Sequence, residues 1–247
     1  MKTTNKILLG SFIIILLITF ILMVLLRLNM NLGPAIEGSM NVSTQKREIS
    51  SFNAIEASGA VKIELLQNNE IGLTIEADDN LIELIITEVT DSVLKIRLNE
   101  KVGRHKALDV KVDFVTLQAL KASAGASISS VNTIVGLALR HIISSGAISN
   151  LELDFESLTI ESSSGAHSTL TGKVREVFIN SSSGAMVDAR ELVAEKATVK
   201  SSSGAINHIF VNNEMSIDAS SGAIVNYYGQ PTVRNQKTTS GGTIISH

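Results

Sequence analysis

The chain contains no cysteine, no tryptophan and only two prolines among its 247 residues. The absence of cysteine excludes a disulfide scaffold, a thiolate metal site, a cysteine nucleophile and a cysteine-linked lipid anchor. Aromatic residues make up only 4% of the chain, so large rings cannot build its core. Hydrophobic residues make up 44%, which indicates a folded protein and not a disordered one.

The chain also has no excess of positive charge, since its formal net charge is −3. Beyond residue 30 the imbalance grows, with 18 lysines and arginines against 24 aspartates and glutamates. A surface of this sign gives no electrostatic reason to bind nucleic acid. We therefore expect no nucleic-acid partner.

The N-terminal part of the chain has one long apolar run, residues 7–26, which carries no charge. As a helix it would span about 30 Å, the thickness of the hydrocarbon core of a bilayer. Lys2 and Lys6 precede it, and positive charge keeps the preceding end in the cytoplasm. The sequence thus predicts a cytoplasmic tail, residues 1–6, and a transmembrane signal-anchor helix over 7–26.

An exported domain should follow this anchor, in the periplasm or cell envelope and tied to the inner membrane. Residues 27–45 form a polar tether, and residues 46–247 form the domain. The alternative is a signal peptide that is cleaved before the domain is released. The sequence offers only a poor small-residue cleavage site near Ala35, and the apolar run is longer than usual for a signal peptide.

A Ser-Gly-Ala triplet, or a close variant, recurs through the domain. From residue 122 onward the repeats are regular, with gaps of 18 to 21 residues between their glycines. The corner residues that we single out are Gly125, Gly146, Gly165, Gly184, Gly204, Gly222 and Gly241, with Ser163, Ser182, Ser202 and Ser220. Repeats of this length are typical of stacked architectures.

Apolar residues hold fixed offsets from these glycines. They are Leu158, Val177, Ala197 and Met215 seven residues before, Ile160, Ile179, Val199 and Ile217 five before, and Ile148, Met186, Ile206 and Ile224 two after. A spacing of two indicates strands. One repeat is too short for a strand-helix-strand unit and cannot bury its own apolar stripe. We therefore predict an all-β protein, a β-solenoid with coils of about 19 residues and a shared aliphatic interior.

The small corner residues fit such a stack, because equivalent side chains lie above one another in successive coils. Gly at the corner permits positive φ or close backbone approach. The serines Ser163, Ser182, Ser202 and Ser220 should form a ladder of hydroxyl groups. A nucleophilic role is disfavoured, because no histidine or acid stands at a repeated offset to activate them.

Residues 46–121 alternate apolar and polar side chains but are less periodic than residues 122–247. They should begin the same stack and cap its N-terminal end. One short helical turn is expected at 78–85, with Asp79 or Asn80 as N-cap. At the other end, the coil after Gly241 offers an edge through which the protein could associate with itself; the alternative is that Pro231, Arg234 and Lys237 blunt that edge.

No metal or cofactor site is expected. The histidines His141, His167 and His208 stand at different offsets from their glycines, so they cannot stack into one cluster. The aspartates of the repeats are likewise out of register, and a calcium-dependent lyase needs several carboxylates that point one way. The sequence contains no recognisable catalytic group.

The domain resembles the bacterial family described as putative autotransporter-adhesin "head GIN" domain, a domain of unknown function. The residues that carry the resemblance are REISSFNAIEASGAVKIEL at 47–65, IEADDNL at 75–81, TEV at 87–89, LKI at 94–96 and VKVDFVTL at 110–117, followed by the Ser-Gly-Ala repeats up to Gly241. The resemblance implies a β-helix-like fold, exported or on the envelope of Gram-negative bacteria, and carries over no catalytic residue.

Three functions remain open at this point. The first is a non-enzymatic, membrane-anchored envelope protein whose solenoid acts as an adhesin-like binding or assembly module with an unknown ligand. The second is an envelope scaffold or stress-sensor component, which would need a partner within the membrane. The third is a carbohydrate-active β-helix enzyme, against which stand the absent acids in register and the scarcity of aromatic platforms, with only Tyr227 and Tyr228 near the C-terminal end.

Overall fold

The structure is a computed structural model that describes residues 12, 16–20, 23 and 34–247. The predicted tail at 1–6 and most of the predicted transmembrane helix at 7–26 lie outside the described residues. Those of its residues that are described are helical and exposed. Within the described parts of the chain, no helix is long and apolar enough to cross a membrane. The chain divides into two compact units, Met1–Ile36 and Glu37–His247.

The second unit is all-β and forms a β-solenoid of about 7 turns with coils of roughly 19 residues. Its strands are β1 (Val42–Lys46), β2 (Ala54–Ser58), β3 (Lys62–Gln67), β4 (Gly72–Asp78), β5 (Ile85–Thr90), β6 (Val93–Leu98), β7 (Leu108–Phe114), β8 (Ala119–Ser123), β9 (Ser127–Ser130), β10 (Ile134–Ile143), β11 (Ile148–Ser162), β12 (His167–Ser181), β13 (Met186–Ser201), β14 (Ile206–Ala219), β15 (Ile224–Tyr228), β16 (Thr232–Thr238) and β17 (Thr243–Ser246).

The long strands β10 to β14 pair in parallel with the coil before and the coil after. Their register follows the repeat, since Ile148 pairs with His167 and His167 pairs with Met186. Differences in coil length are accommodated away from the Ser-Gly-Ala corner. The register between β12 and β13, for example, shifts between Thr169 and Thr171. The corner therefore stays in column although the repeat length varies.

Each corner is a tight turn whose two central residues have positive φ. At one corner these are Ser164, with φ of 53°, and Gly165, with φ of 70°. The amide of Ala166 donates to the carbonyl oxygen of Ser163 at 3.1 Å, which closes the turn. Two central residues with positive φ are characteristic of a type I′ turn.

The interior of the coils is aliphatic, as the repeat predicts. The residues seven and five before the glycines are buried there, among them Leu158, Val177, Met215, Ile160, Ile179, Val199 and Ile217. The alanine of the triplet also faces inward and is buried in six successive coils, as Ala126, Ala147, Ala166, Ala185, Ala205 and Ala223. A larger side chain at this position would overpack the inside of the turn.

The apolar residues two after each glycine do not line this interior, contrary to expectation. Ile148 is 45% exposed, and Met186, Ile206 and Ile224 are half-buried. Side chains alternate sides along a strand, so the inward alanine at the turn forces the next residue outward. The interior column is formed instead by the residues three after each glycine, Ile128, Ser149, Ser168, Val187, Asn207 and Val225.

The region before residue 122 contributes coils and a cover. The strand β2 pairs in parallel with both β6 and β8, and β3 pairs in parallel with both β7 and β9. The strands β1, β4 and β5 instead run antiparallel to their neighbours. A strand that pairs in this way covers the free edge of the outermost coil.

Two local features of this region differ from expectation. The last residues of the predicted tether at 27–45 belong to β1, which pairs with β4. The expected helical turn is a short 3₁₀ helix, Ile82–Leu84, whose N-cap position is Leu81 without a side-chain cap. The predicted caps Asp79 and Asn80 bond elsewhere: the carboxylate of Asp79 accepts from the Ser39 hydroxyl, and the side-chain oxygen of Asn80 accepts from the Ser39 amide.

Candidate functional site

The corner residues that the sequence singles out lie at one edge of the solenoid and join successive coils through their backbones. The amide of each corner glycine from Gly125 to Gly222 donates to a serine carbonyl oxygen of the next coil; the Gly165 amide, for example, lies 3.1 Å from the carbonyl oxygen of Ser183. These contacts are made by the main chain, so the position needs a backbone conformation and not a reactive side chain.

The expected ladder of hydroxyl groups does not run through Ser163, Ser182, Ser202 and Ser220. These side chains are half-exposed and make no side-chain hydrogen bond among the described residues. The reason is the alternation of the strand, since the serine one position earlier points inward in three successive coils. No imidazole or carboxylate of the described residues contacts their hydroxyl groups, so the geometry offers them no general base.

The inner side of the corner carries a buried polar column instead. The Nδ1–H group of His141 donates to the carbonyl oxygen of Leu120 at 3.2 Å, and its Nε2 lies 2.9 Å from the Oγ of Ser149. A hydrogen bond of 3.0 Å joins Ser149 to Ser168 in the next coil. Burial lowers the pKa of His141 to about 4, so this imidazole is neutral at pH 7.

A second polar group lies farther along the same inner corner. Asn207 Nδ2 donates to the hydroxyl oxygens of Ser181 at 2.7 Å and Ser201 at 2.8 Å, and the two hydroxyls lie 3.1 Å apart. Ser162 occupies the equivalent position one coil before Ser181, but its buried Oγ has no partner among the described residues. Both polar groups are sealed from solvent, so they stabilise the stack and cannot act on a substrate.

The contrast between Ser162 and Ser181 leads to a testable prediction. Ser181→Ala should lower the free energy of unfolding by about 1–2 kcal/mol, because it removes a partner of a buried amide. Ser162→Ala should leave the free energy of unfolding unchanged or raise it, because it deletes an unpaired buried hydroxyl. Urea unfolding of the two variants at pH 7.5 measures this difference. Equal losses in both variants would contradict the assignment of hydrogen bonds.

One accessible surface of the regular coils is the outer side of the strand segments that follow each corner. We call this the post-corner face and define it by residues 148–152, 167–171, 186–190, 206–210, 224–228 and 243–247. Its first outward column is the apolar row Ile148, Met186, Ile206 and Ile224, interrupted by His167. Its second outward column is polar and contains Asn150, Thr169, Asp188, His208 and Asn226. The third contains Glu152, Thr171, Arg190, Phe210, Tyr228 and His247.

One end of the post-corner face gathers aromatic and ionisable side chains. The ring of Tyr228 stacks on the imidazole of His247, with 4.7 Å between centroids, and lies 6.3 Å from the ring of His208. The Oη of Tyr228 is 3.3 Å from His208 Nδ1, and His247 Nε2 is 3.1 Å from Asn226 Oδ1. We call the three rings of His208, Tyr228 and His247, together with Asp188 and Arg190, the ring cluster.

Asp188 and Arg190 add a charged pair to the ring cluster. The guanidinium of Arg190 donates to both carboxylate oxygens of Asp188, through Nε at 2.9 Å and through Nη2. These hydrogen bonds hold the pKa of Asp188 below its ordinary value, against the opposing effect of its partial burial. Burial lowers the pKa of His208, more than the nearby carboxylate of Asp188 raises it. The opposite charges of Asp188 and Arg190 therefore cancel within the cluster.

Within the described part of the chain, no three histidine or acidic side chains gather closely enough to hold a metal ion. The histidines lie where their offsets place them, His141 in the interior and His167 and His208 in two different outward columns. Offsets counted from one glycine did not reveal the ring cluster, because its members come from four coils and two columns. One sequence feature did point to the ring cluster: the two tyrosines of the chain are adjacent, at 227–228.

Comparisons with known proteins bear on the fold and family. The family model described as "Putative auto-transporter adhesin, head GIN domain" matches residues 51–231. No curated protein matches the chain. A solved structure from Bacteroides fragilis, described as "a putative adhesin", is similar with a TM-score of 0.77 and 20% identity, over 86% of this chain and 99% of that one.

Two further solved structures come from Parabacteroides. One from Parabacteroides distasonis, described as "Putative lipid binding protein", has a TM-score of 0.68 and 18% identity over 87% of this chain and 100% of that one. One from Parabacteroides merdae, described as "a putative adhesin", has a TM-score of 0.65 and 19% identity over the same shares. At these identities the similarity shows a common fold.

Proposed function

Because the chain belongs to the head GIN domain family of auto-transporter-adhesin-like proteins, we propose that it is a non-enzymatic binding module of the bacterial envelope. In this proposal residues 7–26 anchor the protein in the inner membrane, and the solenoid lies in the periplasm or cell envelope. The solenoid then presents its post-corner face to a partner, in adhesion or in assembly. Cleavage after the apolar run, with export of the domain, is the alternative for its location.

The observation that carries this proposal is the apolar column on the outside of a parallel sheet. Parallel sheets are normally covered on both faces. Here Ile148, Met186, Ile206 and Ile224 repeat on the outer face, and the described coils leave them partly exposed. An apolar row beside two polar columns is the pattern of a protein interaction surface.

The rigidity of the face supports the same function. Every outward side chain stands on a strand that is hydrogen-bonded on both sides through β11 to β14. A partner would therefore meet side chains that are already ordered, so that less conformational entropy is lost on binding. The strands β16 and β17 each pair on one side only among the described residues, and we propose them as the place of self-association.

A pair of matched variants tests the proposed function. Ile148 and Val115 are apolar residues of equal exposure, 45%, but only Ile148 belongs to the post-corner face. The full-length protein should retain envelope material in a pull-down from membranes. Ile148→Lys should reduce the retained material roughly tenfold, the effect of losing about 1.4 kcal/mol of binding free energy, and Val115→Lys should leave it unchanged.

Two outcomes would contradict the proposal. Retention that is equal in both variants would show that the post-corner face is not the binding surface. Retention by neither variant nor the unchanged protein would remove the binding function itself. Light scattering on the same full-length samples reports self-association, and a strictly monomeric protein at high concentration would remove that part of the proposal.

A further inference from the structure

We infer that the ring cluster is a carbohydrate site, in which Asp188 and Arg190 bind adjacent hydroxyl groups of a sugar next to the stacked rings. This inference rests on the proposed function and names a ligand class for one end of the post-corner face. It concerns Asp188, Arg190, His208, Tyr228 and His247, which meet from four successive coils.

The first argument is that the Asp188–Arg190 pair does not contribute to stacking the coils. Five other ion pairs within described residues 122–247 each join two neighbouring coils, namely Arg140–Glu161, Lys173–Asp154, Arg175–Glu156, Lys196–Glu176 and Arg234–Glu214. The Asp188–Arg190 pair instead joins two residues of one strand, β13. Its position is therefore not explained by the cohesion of the solenoid.

The second argument is the chemistry of the pair. Each of two adjacent sugar hydroxyls both donates and accepts a hydrogen bond. A carboxylate beside a guanidinium offers acceptors and donors side by side, and charged partners make the stronger hydrogen bonds. The side chain of Arg190 is 54% exposed and that of Asp188 is 21% exposed, so the pair is accessible from solvent. Because the two charges cancel, the pair favours a neutral polyol over a free anion.

The third argument is the arrangement of rings and free polar edges around the pair. Tyr228 and His247 stack nearly parallel, with 15° between their planes. The Nε2 atom of His208 has no hydrogen-bond partner among the described residues, so it is available to a hydroxyl group. The apolar residues Ile206 and Ile224 stand in the adjacent outward column. Sugars present both polar hydroxyls and apolar C–H faces, which match these two kinds of neighbour.

The spacing of the coils extends the argument from one sugar to a chain. Successive coils repeat every ~4.8 Å, which is close to the length of one sugar residue in an extended glycan. The ring cluster spans four coils, so its polar groups follow one another along the axis at about the interval at which hydroxyl pairs recur in an oligosaccharide. We therefore assign it an oligosaccharide with free vicinal hydroxyls.

The test measures binding of the full-length protein to an array of defined mono- and oligosaccharides. The unchanged protein should bind at least one of them. Asp188→Asn should weaken that binding roughly tenfold, since it removes the charge that strengthens the hydrogen bond to the sugar while keeping the shape of the side chain. Glu156→Gln is the matched control, because Glu156 and Arg175 form an ion pair of the same chemistry away from the rings.

A second measurement separates this inference from the proposed function. Mild periodate cleaves vicinal diols, so treated envelope material should no longer be retained through the ring cluster. If retention survives periodate and also survives Asp188→Asn but still depends on Ile148, the carbohydrate assignment is overturned and the binding function stands. Binding to no sugar on the array would likewise overturn the assignment, as would equal loss in Glu156→Gln.

Discussion

Gly172→Ala should destabilise the solenoid by about 3 kcal/mol or more, the upper range for inserting atoms into a packed interior. Gly172 has φ of 101°, and a Cβ atom there would lie 2.2 Å from the carbonyl oxygen of Leu153 in the preceding coil. That oxygen belongs to β11, which pairs with β12 through this region. The clash cannot be relieved by turning a side chain, so the two coils would have to separate locally.

Gly165→Ala is the matched control, because it is the same substitution in the same part of the chain. Gly165 also has positive φ, at 70°, but a Cβ atom there would meet nothing within 4 Å. Its cost should be only about 1 kcal/mol, the penalty for an L-residue in the left-handed region. Thermal or urea unfolding of the two variants gives the comparison. A loss in Gly165→Ala as large as that in Gly172→Ala would show that backbone conformation, and not contact between coils, sets the cost.

Acidification should destabilise the protein through His141, with a loss of up to about 3 kcal/mol between pH 6.5 and pH 4. Burial lowers the pKa of this imidazole from 6.5 to about 4 in the folded protein. Above pH 6.5 the side chain is neutral in both states and nothing is lost. As the pH falls below 6.5 the unfolded chain takes up the proton first, so the unfolded state becomes relatively more stable until the pH reaches the folded pKa.

His141→Leu should remove this pH dependence. Leucine suits the position, because the equivalent residue one coil earlier, Leu120, is buried in the same column. Urea unfolding of both proteins at pH 7.5, 6, 5 and 4 yields two curves of free energy against pH. The free energy of unfolding of the unchanged protein should fall toward acid pH relative to that of His141→Leu. The difference between the two curves should therefore change by up to about 3 kcal/mol between pH 6.5 and pH 4. Parallel curves would mean that protonation of His141 does not cause the loss of stability at acid pH.

The repeat predicted the architecture because each unit of a stacked protein contacts only the units next to it. When a unit recurs every 18 to 21 residues and carries aliphatics at fixed offsets, each unit must bury its stripe against the next. This argument placed Ile160, Ile179 and Val199 in the interior, and the structure confirms it. The same argument misplaced Ile206 and Ile224, because hydrophobicity alone does not show on which side of the strand a residue falls after a tight turn.

The candidate site was beyond this kind of reading. The ring cluster combines Asp188, His208 and Tyr228 from different coils, and the diagonal contact between columns depends on where the register shifts. Such shifts follow from local coil length around 189–193, not from the repeat itself. The Asp188–Arg190 pair was visible as two charges two residues apart, but nothing in the sequence set it apart from the pairs that join coils.

The amino-acid sequence by itself determined the all-β class, the coil length, the aliphatic interior and the family, since each depends only on which residue types recur and how far apart they stand. Only the tertiary structure decided which serines hydrogen-bond, which apolar column faces outward and which polar side chains meet. The reason is physical: periodicity determines that a side chain repeats along the stack, whereas the turn between two strands determines the direction in which it points.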